Sequence, residues 1–510
     1  MLRNFFILFC TVLPFMTQAA LHWTPFQAAP AEGVATSMRL AVNKNSKALL
    51  AWYQPNDQTI RSSFYNFVEK QWTPSQILSA QTHSITLLAM YFTEDEKAAL
   101  LWLDSQENSL HLSRLTPEGE WTSSLTLPLS LPIDDVQSLF DAEGNLSMVW
   151  SAWNGIEHNI QGVFYSEELL TWSPILDLSP IGFNCRSPKI AMNTKGQGVV
   201  AWQAIITKGN GSATQSFVQA VTFNQRQFHW SKPLYFGYDW IDTCLSNPDV
   251  AIDSANNIAI IWEKMRPDKR ETRLQYVRFL AKKNQWSYVS EMEAGTLHPQ
   301  FGKNSQNLQI FWTATEGSNK GLNIAKFDIE NNLWISVHNL AKSEKGISDI
   351  KVSGDSLGKL NLMWLNAHSL QMVHYDKGWM PPVHLDKNMM CETFDFANDG
   401  IGNVMLTIIN EGRLLYCTGN YLLPPDFFDG RKVEVRYPSR KVTHGHLTWC
   451  HAESPNVMGY IVRRNGVVLA ILPVHALQYT DYRCPNTAVC YELTIVNVDN
   501  IESLPVKRDL

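Results

Sequence analysis

Side chains able to engage a sugar gather in one stretch, Tyr235-Phe236-Gly237-Tyr238-Asp239-Trp240-Ile241-Asp242-Thr243-Cys244. Aromatic faces stack on the apolar faces of sugar rings, and carboxylates accept hydrogen bonds from hydroxyls. Tyr235, Tyr238, Asp239, Trp240 and Asp242 are therefore the candidate ligand-binding residues. The competing use of such aromatics is to fill space against a neighbouring loop. Two acid pairs, Asp134-Asp135 and Asp239/Asp242, have the composition that glycoside hydrolysis needs. Paired loop acids are ordinarily just solvated, so no residue is assigned a catalytic role. Cys185 (in Asn-Cys-Arg-Ser-Pro) and Cys244 (in Thr-Cys-Leu-Ser-Asn-Pro) occupy matching contexts and form one candidate disulfide. Cys484 and Cys490 flank a five-residue loop and form another. His444, His446, Cys450 and His451 lack a second ligand pair at a recognised metal spacing, so they read as a surface strand. No nucleophile elbow, phosphate loop or dinucleotide fingerprint occurs, so no cofactor and no metal are expected.

These residues must be held by a repeated β-unit. Val250-Ala-Ile-Asp-Ser-Ala-Asn-Asn-Ile-Ala-Ile-Ile-Trp262 reads as strand, polar turn, strand, and the phrase recurs along the chain. Trp52, Trp102, Trp150, Trp202, Trp262, Trp312 and Trp364 each close such a pair at steps of about 50 residues. A second set, Trp72, Trp121, Trp172, Trp230, Trp286, Trp334 and Trp379, marks a later strand in each unit. Four short antiparallel strands per unit make a propeller blade. The second strands are continuous apolar runs, as expected for sheets buried on both faces. An eighth unit from Phe394 to Ile409 lacks its closing Trp strand. Leu21-His22-Trp23-Thr24-Pro25 matches Gln71-Trp72-Thr73-Pro74 and supplies it. The expectation is an all-β chain holding an eight-bladed β-propeller shut by its N-terminal strand, with seven blades as the alternative.

The domains are expected at 1–20 (signal peptide), 21–422 (propeller), 423–431 (linker around Asp429-Gly430) and 432–510 (small β-sandwich). The leader has Arg3, an apolar run from Phe5 to Met16, and small residues at Ala19-Ala20. That run is too short for a bilayer span of about 20 residues. The mature protein is expected to be exported, to the periplasm, the cell surface or the medium, with no transmembrane segment. A net charge of −6 over 510 residues, without a basic stripe, makes nucleic acid an unexpected partner. Seven cysteines outside the leader are sparse for this length, so packing rather than staples must carry the fold.

The C-terminal order Leu447-Thr448-Trp449, Tyr460 to Ala470 turning at Asn465-Gly466, Tyr479-Thr480-Asp481, then Tyr491 to Val498, resembles a fibronectin type III module. The resemblance implies core roles for Trp449 and Tyr491. The repeats resemble secreted bacterial β-propellers, loosely of the sialidase and lectin kind. They lack the sialidase Ser/Thr-x-Asp-x-Gly-x-Thr-Trp turn; Asp141-Ala-Glu-Gly144 matches its shape only. The large insertions, Gln203 to Gln215, Tyr235 to Asn247 and Glu263 to Glu271, all fall on one propeller face, where loops are free to vary. The expected function is a non-enzymatic binding protein presenting that face to a glycan or protein ligand. The alternatives are a glycoside hydrolase-like enzyme at the same face and a structural envelope protein.

Overall fold

A computed structural model describes residues 22–510 apart from short stretches, the longest being 207–214, 238–243, 303–308, 355–359 and 452–456, the others of four residues or fewer. The fold is all-β and propeller-like. Its described elements are strands plus two single-turn helices, Gln225–Gln227 and Ala281–Lys283. Among the described residues no helix is long and apolar enough to cross a membrane. The chain divides into one unit over Trp23–Gly419 and another that includes Asn420–Leu510.

The larger unit holds eight antiparallel sheets of four or five strands among the described residues. Their first strands are Ser37–Asn43, Ile85–Phe92, Ile133–Phe140, Asn184–Met192, Cys244–Ile252, Thr296–Phe301, Ile347–Gly354 and Thr393–Asn398. First strands of neighbouring sheets pack together through most of the series, and the last packs on the first, Thr393–Asn398 against Ser37–Asn43. His22–Trp23 and Gln27–Ala28 both pair with Arg413–Asn420, so the N-terminal strand completes the last sheet.

Seven of the eight sheets repeat the same local chemistry. The closing Trp of strand two is buried, with Trp52, Trp150, Trp202, Trp262 and Trp364 at 0 % exposure. Truncating such a side chain to Ala costs about 3–5 kcal/mol. In three of these sheets the indole N–H finds an acceptor across the sheet. Trp150 donates to Gln161, Trp202 to Gln219 and Trp262 to Gln275, at 3.1, 2.8 and 3.0 Å, and each Gln lies directly opposite on strand three. The outer Trp pairs with an aromatic that ends strand three: Tyr65 with Trp72, Tyr165 with Trp172, Phe223 with Trp230 and Phe279 with Trp286. The Ser or Thr after that Trp accepts a strand-three N–H. Thr73, Ser173, Ser231 and Ser287 do this, and Thr24 does it for Thr418. That explains why Trp-Thr-Pro and Trp-Ser-Pro recur.

Turns between strands one and two tie sheets together on one face. Asp253 accepts the N–H groups of Ala255 and Asn257 and the Asn257 amide, and Asn193 reaches across to the Asp253 carbonyl at 3.3 Å. Where last meets first, Ser46 Oγ donates to buried Asp399 at 3.0 Å.

The smaller unit has a sheet of Phe428–Tyr437, Arg440–Trp449 and Gln478–Asp481. Its second sheet holds Val467–Pro473, Val457–Arg464, Cys490–Asn497 and Val506–Asp509. Trp449, Tyr460, Tyr491, Leu447 and Leu493 form its core. The hairpin turns at Asn465 and Gly466, both at positive φ (50° and 80°), a conformation Asn and Gly adopt most readily. Buried Asp481 accepts from the Tyr491 hydroxyl at 2.7 Å and from Arg464 at 2.6 Å. Two expectations are corrected here. Phe428–Tyr437 begins inside the stretch expected to be a linker, because its residues pair with Arg440–Trp449 along their whole length. His444 does not lie on a surface strand. It is buried against the Tyr482 ring at 5.1 Å, while His446 binds the Thr480 hydroxyl at 3.0 Å.

Candidate functional site

The aromatic loop singled out in the sequence is only partly visible. Tyr238, Asp239, Trp240 and Asp242 lie outside the described residues. Tyr235 is half exposed, on the strand Leu234–Phe236, with its ring 6.2 Å from Phe183.

The cysteine expectations are corrected. Cys185, Cys244, Cys484 and Cys490 are all free thiols. Cys185 is fully buried and faces Gln219 at 3.9 Å, whereas Cys244 faces Gln203, so the two point into different surroundings. The Cys484 thiol turns to the Pro485 carbonyl and the Cys490 thiol to that of Tyr491. Burial pushes the Cys185 thiol up to about 12 and raises Cys244, away from thiolate reactivity.

A cavity of about 150 Å³ opens between the first strands of the third to sixth sheets. Each of these strands carries a β-bulge near its start, falling between Asp134/Gln137, Arg186/Lys189, Ser246/Asp249 and Leu297/Gln300. The bulge sets Asp135, Ser187, Asn247 and His298 at φ 53°, 54°, 49° and 51°. Left-handed backbone is uncommon outside Gly, and short polar residues tolerate it best. The next residue is Pro188, Pro248 or Pro299 in three of the four, and the residue after that points back to the cavity: Gln137, Lys189 and Gln300 line it. A bulge re-aims side chains in this way next to functional sites.

His298 is the wall residue best placed for proton transfer. Its side chain is 64 % exposed, while the Glu263 side chain behind it is 6 % exposed and lies with Oε1 3.8 Å from His298 Nδ1. Glu263 Oε1 also accepts the His298 backbone N–H, and Ser246 Oγ donates to Oε2 at 3.2 Å. Asn247 Nδ2 sits 3.4 Å from His298 Nδ1. A buried carboxylate beside an imidazole is the arrangement of a general base with its orienting group. Asp135 is the one carboxylate among the described cavity-lining residues, and its Oδ2 accepts the Ser187 N–H at 3.2 Å. The expected acid pair therefore does not act as two facing carboxylates: Asp134 points instead to His158 Nε2, at 3.7 Å. His158 in turn packs on Trp153, 4.8 Å between centroids.

Sequence reasoning passed over His298, Lys189 and the bulges. The signal was present as Ser187-Pro188, Asn247-Pro248 and His298-Pro299, each 14 or 15 residues ahead of a closing Trp.

No family model matches the chain, and no curated protein matches it. Among solved structures, the chain is similar to a polysaccharide lyase of family PL25, an ulvan lyase (TM-score 0.46, 10% identity, covering 72% of this chain and 97% of that one). It is also similar to a second polysaccharide lyase (TM-score 0.44, 10% identity, 80% and 95%) and to a copper-bound fungal alcohol oxidase (TM-score 0.41, 12% identity, 96% and 99%). Likeness at these identities is one of fold. The expectation of a non-enzymatic binding protein finds no support among these matches, which include polysaccharide lyases.

Proposed function

We propose that the chain is a glycan-acting enzyme working at the cavity of the third to sixth sheets. The observation that carries this reading is the exposed His298 backed by buried Glu263 in a polar cavity. His298 acts as the proton-transfer group and Glu263 stabilises the imidazolium once it forms. A single wall carboxylate supports general-base chemistry at His298 better than hydrolysis between two facing carboxylates. A polysaccharide panel, with new reducing ends as the readout, tests the reading. Wild type cleaves a member of the panel. His298→Ala lowers kcat by about 100-fold or more, and Glu263→Gln by about 10-fold or more. A His298→Ala variant as active as wild type would sink the assignment. Ultraviolet absorbance of the product separates elimination, which leaves an unsaturated sugar, from hydrolysis.

The same proposal includes eight blades, a C-terminal fibronectin type III-like module, and export directed by residues 1–20. Arg3 ahead of an apolar run supports export. N-terminal sequencing of the protein from an extracytoplasmic fraction checks it; an intact Met1 there would exclude cleavage after residue 20.

A further inference from the structure

Among the described residues, one cation in the cavity wall has no counter-charge. The residue two places past the bulge, opposite the position just before each closing Trp, is equivalent from sheet to sheet. Lys189 lies opposite Ala201, Asp249 opposite Ile261, Gln300 opposite Phe311 and Lys351 opposite Met363. Arg39 opposite Ala51 and Asp395 opposite Thr407 hold the same place in the first and last sheets. Most of the charged members are committed. Arg39 donates to the carbonyls of Leu88 and Met38 at 2.8 and 2.7 Å. Lys351 lies 3.6 Å from Asp395 and over the Phe394 ring at 4.9 Å. Asp249 accepts the Phe301 N–H at 2.6 Å, and Asp395 accepts the Leu40 N–H at 3.0 Å, the same contact made to the following sheet. Lys189, by contrast, has no hydrogen bond or ion pair among the described residues, yet it lines the cavity. It is only partly exposed. The wall beside it offers the amides of Gln137, Gln300 and Asn247 and the Ser187 hydroxyl, all able to donate. Asp135, the carboxylate in that wall, already accepts the Ser187 N–H and lies beyond ion-pair distance of Lys189.

A partly exposed lysine that lines a cavity without a counter-charge among the described residues, with neutral donors around it, is an incomplete ion pair, and an anionic ligand completes it. A space of about 150 Å³ admits a single sugar-sized group rather than a long stretch of polymer. We infer that Lys189 holds the anionic group of an acidic sugar, a carboxylate or a sulfate ester, in this cavity. The inference rests on the reading of the cavity as a glycan site and names the substrate class there.

Binding, measured separately from turnover, tests it. Glucuronate, galactose 6-sulfate and glucose are titrated into the full chain by calorimetry or ligand-observed NMR, with wild type, Lys189→Ala and Lys189→Met. Met keeps an unbranched apolar stem in place of the lysine chain, which guards against a folding defect. The expected result is that at least one anionic sugar binds wild type about 10-fold or more tighter than glucose. Both variants lose that preference, and added salt weakens it. Whichever probe is preferred separates carboxylate from sulfate. Equal binding of all three sugars, no binding of either anion, or unchanged preference in the variants overturns the inference. Failure of the enzyme reading looks different: anion binding depends on Lys189 while His298→Ala leaves polysaccharide cleavage intact.

Discussion

His298 and Asp349 occupy equivalent bulge positions in adjacent sheets, at φ 51° and 49°, in different surroundings. His298 has a buried carboxylate behind it. Asp349 still reaches water, but the enclosing walls push its carboxyl above the ordinary carboxylate range. Asp395 adds to that, and Lys351 and Arg39 oppose it. A carboxyl whose folded-state pKa is raised contributes stability below its unfolded pKa and loses it as pH rises through the folded value. Asp349→Asn is therefore expected to flatten this part of the stability profile. Its Tm relative to wild type should rise as pH increases from the carboxylate range toward neutrality. Thermal unfolding across that window checks it; a wild type and variant offset by a constant amount would show that the group has no such linkage. The same scale separates Lys189 from Lys351: both stand at one structural position, and among the described residues only the second has an ion-pair partner.

At the scale of elements, the fold depends on a two-residue strand. His22–Trp23 lies along Arg413–Asn420, Thr24 N–H donates to the Thr418 carbonyl at 2.8 Å, and Gln27–Ala28 adds two more paired residues. Without them, the backbone of Arg413–Asn420 would stand as an open edge, the kind of surface that pairs with other chains. Deleting residues through Ala28 is expected to lower Tm and to produce concentration-dependent association, read by light scattering. Thr24→Val removes one side-chain hydrogen bond and should cost about 1 kcal/mol without association. A deletion variant that stays monomeric with wild-type Tm would mean the last sheet does not need its N-terminal strand. The strand was legible beforehand, because Trp23-Thr24-Pro25 copies Trp72-Thr73-Pro74. The reason for the copy was not: it lies in a hydroxyl accepting a backbone N–H from a strand far away in sequence.

For the whole molecule, periodicity made the all-β repeat readable, since each closing Trp is buried by the same packing and answered by a polar residue across the ladder. The site was less readable. The sequence drew attention to long aromatic loops, whereas the described cavity is built from short polar residues at bulges, which leave no run of composition to notice. Pairing of cysteines failed for a related reason. Matching positions in successive sheets share a sequence context, but each thiol faces its own sheet's neighbours. The bulge itself has a further consequence. Asp135, Ser187, Asn247, His298 and Asp349 are five left-handed positions presented by five consecutive sheets, each filled by Asp, Asn, Ser or His. The backbone thus restricts its own alphabet at those points to small or polar, hydrogen-bonding side chains. Four of the five line the cavity, so the polar side chains offered there can vary while the sheets that carry them stay as they are.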